Sequence, residues 1–110
     1  MDGKQSVTTE YRWGVVDASE PPDIRTVRGY VTVLEHHQSP PDGPVTYKLL
    51  FFDADGRPVT AFPFGDFLLF ASAAVLAMAM VDDEVAVELE KLVKPENDPG
   101  PAAALVPLAT

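Results

Sequence analysis

Glu35, His36 and His37 form the one place in the chain where two histidines meet a carboxylate. Imidazole and carboxylate together suggest a metal site or a proton relay. Spacing argues against both histidines acting together. Neighbouring residues of a strand point to opposite faces, so His36 and His37 cannot chelate one ion from a regular strand. A metal site would need Glu35 with His37 and help from the acidic loops, and the simpler expectation is a polar strand end. Asp53-Ala54-Asp55-Gly56 begins like a calcium loop. Continued as one, it would place Arg57 at the fifth position, Pro58 where glycine is required and Phe64 where the bidentate glutamate belongs. A tight turn is expected there instead. Asp82-Asp83-Glu84 reads as a solvated acidic turn. Ser6, Ser19, Ser39 and Ser72 fall in the start of the chain, two loops and the apolar run, where no catalytic triad is expected. Neither a G-x-S-x-G elbow nor a glycine-rich phosphate loop is present. The expectation is therefore a protein with no catalytic residues, no metal and no cofactor, and not an enzyme.

The bulk composition narrows the partners. The 110 residues carry 17 acidic and 8 basic side chains, a formal charge of −9. Nucleic-acid backbones and anionic membrane surfaces both call for a basic face, so neither is an expected partner. Cysteine is absent, which removes disulfides, thiolate catalysis and zinc–thiolate sites. The start of the chain has no apolar leader segment, and a cytoplasmic location is expected.

The elements that must position any site read as follows. Residues 7–16 are rich in Thr, Tyr, Trp and Val, as a strand requires. Over residues 24–37, Val27, Gly29, Val31 and Val33 share one face, while Arg28, Tyr30, Thr32 and Leu34 share the other. That period of two predicts a long strand, and Gly29 within it predicts a bulge or a close backbone approach. Residues 45–53 predict a third strand whose Leu49-Leu50-Phe51-Phe52 end is apolar on both faces. Residues 57–64 predict a fourth, with Pro58 and Pro63 at its ends or on an edge. For residues 84–93 two patterns compete. Val85, Val87 and Leu89 alternate as in a strand, while Val85, Leu89, Leu92 and Val93 fit a helix; the valines favour strand. Residues 1–94 are expected to form a single globular domain, and residues 95–110 a Pro/Ala-rich tail or a terminal strand.

Residues 67–81 contain no charge, proline or glycine. A bilayer-spanning helix needs about 20 apolar residues, and Asp66 and Asp82 bound this run, so a membrane span is not expected. A helix from Asp66 to about Val81 is expected instead, because its alanines favour helix. Large apolar residues surround it, so more than one side must be covered. Phe67, Phe70, Ala74 and Met78 share one face and are the candidate partner-binding residues; Leu68, Ser72, Val75 and Ala79 share another.

The order of elements resembles the OB-fold. A V-x-G-x-V strand (Val27, Gly29, Val31) precedes a strand ending in D-x-x-G (Asp53, Gly56), then a third strand over 57–63, a helix over 66–81 and a strand over 84–93. The resemblance implies a closed barrel with a capping helix. It also implies single-stranded nucleic-acid binding through aromatics on a basic face, for which Arg28, Tyr30, Tyr47 and Lys48, with Phe51 and Phe52, are the matching positions. The expected fold is α+β: a small antiparallel sheet or OB-like barrel of about five strands with one buried apolar helix. The expected function is an acidic, non-catalytic protein-interaction or assembly module, a homo-oligomer or a subunit of a larger complex. The alternative is an OB-like single-strand binder.

Overall fold

Three long strands open the chain: β1 (Ser6–Asp17), β2 (Gly29–Gln38) and β3 (Val45–Asp53). Two helices follow, α1 (Asp66–Ala79) and α2 (Asp83–Val93), and then strand β4 (Ala103–Pro107). The computed structural model describes residues 6–38, 43–62, 66–93 and 103–108. The described strands form one antiparallel sheet in the order β3-β2-β1-β4. The last strand therefore pairs with the first. No described helix is long and apolar enough to cross a membrane.

The α+β class holds, but the barrel and the fifth strand do not. Among the described residues the sheet is open, with β3 and β4 as its edges. Residues 57–62 make only one bridge, Phe52 with Pro58, besides the turn bonds from Asp53 N–H to Arg57 C=O and from Val59 N–H to Phe51 C=O. Pro58 brings no N–H to extend a ladder. The turn before it is tied by Asp53, whose Oδ1 accepts the Asp55 and Arg57 N–H groups at 2.9 Å each, with Gly56 at φ 84°. Expected residues 63 and 64 lie outside the described residues.

Residues 83–93 are helix, not strand. Asp82 decides this locally: its Oδ1 accepts the N–H groups of Glu84 at 3.1 Å and Val85 at 3.4 Å, an N-cap. Asp82 thus starts a second helix as well as ending the apolar run. Once helical, Ala86 is buried and Val85 and Leu89 are half-buried, while Val87 turns out to solvent at 54% exposure. A strand would have placed Val87 beside Val85 and Leu89 on one face.

Both helices lie on one face of the sheet. Val15, Val31 and Val33 meet Leu69, Phe70, Ala73, Ala77, Met78 and Ala86 in a single core. Phe51, Phe62 and Phe70 close one end of it, with Phe62 stacked on Phe70 at 4.8 Å and Phe51 edge-on to both. Gly29 permits this closure. A Cβ there would lie 2.6 Å from Phe70 Cζ and would also collide with the Phe52 carbonyl oxygen. The close approach expected at Gly29 is thus to the Phe52 backbone oxygen and, beside it, to an aromatic ring. Val27 departs from the expected alternation. The strand begins only at Gly29, and Val27 packs over Gly14 on the opposite face.

Candidate functional site

The helices leave one whole face of the sheet without a helical cover. Pleating sends Tyr11, Trp13 and Val15 of β1, Val31 and Val33 of β2, and Tyr47, Leu49 and Phe51 of β3 toward the core. Their neighbours must point the other way. Register places these in cross-strand rows: Thr8–His36–Thr46, Glu10–Leu34–Lys48, Arg12–Thr32–Leu50 and Gly14–Tyr30–Phe52. We call this the open face. It carries Tyr30, Leu34, Leu50 and Phe52, all half-buried, although no described helix covers them.

Arg12 organises the centre of this face. Its guanidinium lies 5.5 Å from the Tyr30 ring centroid and 5.1 Å from that of Phe52, so one cation serves two aromatic rings. Thr32, its partner across the ladder, is 1% exposed, and its Oγ1 finds no hydrogen-bond partner among the described residues. At one end, His36 Nδ1 and Thr8 Oγ1 are 2.9 Å apart. Shallow hollows of about 290 Å³ beside Leu34, His36 and Lys48 and about 340 Å³ beside Arg12 and Tyr30 give the face relief.

The covered face ends in a polar cluster at the same end of the strands. Glu35 Oε1 receives Tyr11 Oη at 3.4 Å and pairs with His37 Nε2 at 3.1 Å; Glu35 Oε2 receives Tyr47 Oη at 3.4 Å. Tyr47 Oη also reaches Asp82 Oδ2 at 2.9 Å. Burial, and after it the hydrogen bond and charge of Asp82 and the charge of Glu35, push the Tyr47 hydroxyl up to about 12. The Tyr47 hydrogen bond, with the Val85 N–H beside it, holds Asp82 below its ordinary carboxylate value. A phenol that keeps its proton this firmly is a poor general base. The cluster instead ties the N-cap of α2 to β3. Glu35 and His37 do meet on one face and His36 points to the other, as alternation requires. Among the described residues no three His, Asp or Glu side chains gather as metal ligands.

The candidate partner-binding residues on α1 divide. Phe70, Ala74 and Met78 are 4%, 3% and 2% exposed, turned into the protein's own core; Phe67 alone is open, at 54%. Of that face, Phe67 is what the core leaves exposed. The candidate nucleic-acid residues also separate. Tyr30 and Lys48 share the open face, Tyr47 points to the opposite one, and Arg28 sits 3.6 Å from Glu20 before β2 begins. Lys48 lies opposite Leu34, far along β2 from Arg28. A third hollow, about 400 Å³, opens beside Arg28, Asp53, Val59 and Phe62 at the aromatic end of the core.

Arg12, Leu34 and Leu50 were not singled out from sequence as site residues. The apolar-on-both-faces end of β3 and the Tyr30–Thr32–Leu34 face of β2 were the available signal. Arg12 gave none, because its role needs the β1–β2 register.

Compared with family models, curated proteins and solved structures, the chain has no match.

Proposed function

We propose that this protein is a non-catalytic interaction module that assembles through the open face of its sheet. One observation carries this: three strands present Tyr30, Leu34, Leu50 and Phe52 around Arg12 on a face that no described helix covers. Tyrosine and arginine are the residues that dominate binding energy at protein interfaces, and an arginine held on two rings enters a contact with little further entropy to lose. The acidic remainder of the surface keeps the protein in solution and leaves this face as the place to bind. Apolar residues are also exposed on the helices, Phe67, Leu76 and Met80 near or on α1 and Val87 and Leu92 on α2, but no arginine or tyrosine stands among them.

The test is the size of the particle that holds this chain in extracts of the cells that make it. The wild-type chain is expected in a particle larger than its own 11.9 kDa, and the Leu50→Asp variant at the size of the free chain. Equal elution of the two, at either size, would sink the proposal. Circular dichroism of the purified variant checks that it remains folded.

A further inference from the structure

We infer that the occupant of the open face is a second copy of this chain, packed about a two-fold axis that lies in the interface and runs along β2. The inference rests on the open face being the binding surface, and it adds the partner and the geometry. Charge makes the first selection. The chain has 17 acidic residues, yet the four rows of the open face contain one, Glu10. The exposed side of α2, with Asp83, Glu84, Glu88 and Glu90, would repel its own copy. Two copies of a chain with charge −9 therefore approach most readily through this face.

The second selection comes from one row. Glu10 on β1 and Lys48 on β3 flank Leu34 on β2. Both are exposed, and neither has an ion-pair partner among the described residues. An axis along β2 lays β2 over β2 and β1 over β3 of the second copy. Glu10 of each copy then faces Lys48 of the other, twice per dimer, around a central contact of Leu34 with Leu34. Such an isologous contact is closed and goes no further than two chains. Sheets packed face to face keep their strands roughly aligned, as this arrangement does. An axis across the strands lays β3 over β3, so Lys48 meets Leu50 when the axis passes through the middle of the four rows and the other copy's Lys48 when it passes through its own row, and its charge stays unpaired. Arg12 is already held on Tyr30 and Phe52, so the free cation of the face is Lys48.

Sedimentation equilibrium of the purified chain tests this by charge reversal. The wild type is expected to dimerise. Glu10→Lys and Lys48→Glu each create two like-charge contacts, and each is expected to weaken the dimer at least about tenfold. An equimolar mixture of E10K with K48E restores both pairs and is expected to dimerise like the wild type. With R12E, which keeps Glu10 and Lys48, E10K restores only one of the two pairs, and that mixed dimer is expected to be weaker than the one with K48E. A wild type that stays monomeric at every concentration overturns the inference, as do single variants without effect or rescue of E10K by R12E as full as that by K48E. If Leu50→Asp dissolves the cellular particle while the purified wild type is monomeric, the second-copy inference fails and the open face still binds a different protein.

Discussion

The two faces of this sheet are cut from the same strands, one residue apart, and they are built differently. The covered face sets buried Val15, Val31 and Val33 against an alanine-rich helix, with Tyr11, Trp13, Tyr47, Leu49 and Phe51 half-buried around them. The open face uses long side chains, Arg12, Tyr30, Phe52 and Leu50, that shield one another. Close packing on one side leaves no freedom for substitution. On the other, side chains lean across neighbours and can be exchanged at lower cost, which is the condition under which a surface can be specialised for binding.

Substitutions on each face sharpen this contrast. The largest effect is expected from Met78→Ala, which empties a site 2% exposed and should cost about 2–5 kcal/mol in chemical denaturation. The glycines give a matched pair. Gly29→Ala drives a Cβ into a packed ring and a backbone oxygen and should cost about 3 kcal/mol, since neither obstacle can yield alone. Gly14→Ala on the open face meets a single Val106 methyl at 2.9 Å and should cost about 1 kcal/mol. A larger loss at Gly14 than at Gly29 would reverse the ranking of the two faces. Asp82→Ala removes the α2 cap and the Tyr47 acceptor and should lower stability near neutral pH. Asp82 is held below its ordinary value, so its contribution is present above that value and disappears as pH falls through the folded one. The acid limb of the stability profile should therefore flatten in the variant.

The smallest effect belongs to Tyr47. Its hydroxyl is raised from 10.0 to about 12, so its share of the stability is complete below pH 10 and lost as pH rises toward 12. Alkaline unfolding of wild type and Tyr47→Phe, followed by circular dichroism, should show this extra loss in the wild type alone. Identical profiles would mean that the covered face is not sealed by this cluster.

Parts of this architecture could be read from residues alone. The period of two located β2, and the alanines and Asp66 located α1, because those signals are local. Residues 83–93 misled because valine's strand preference is weak beside a capping aspartate and a surface to pack on. The hairpin after β3 misled because a Pro58 that can accept but not donate still looks strand-like in an alternating pattern. The open face was invisible for another reason. Its chemistry depends on which residues of β1 stand beside which of β2 and β3, and register is a property of the assembled sheet. On α1, spacing grouped Phe67 with Phe70, Ala74 and Met78, but it could not say that the group would be turned inward.

The pairing of β4 with β1 also sets an order of events in time. As the chain leaves the ribosome, β1, β2 and β3 can form their meander from neighbouring segments. The free edge of β1 must then wait for residues 103–107, after both helices have emerged. During that interval an unpaired strand edge is available to any other nascent chain that carries a matching strand. Slow translation of the last segment should therefore raise misassembly more than slow translation of the first.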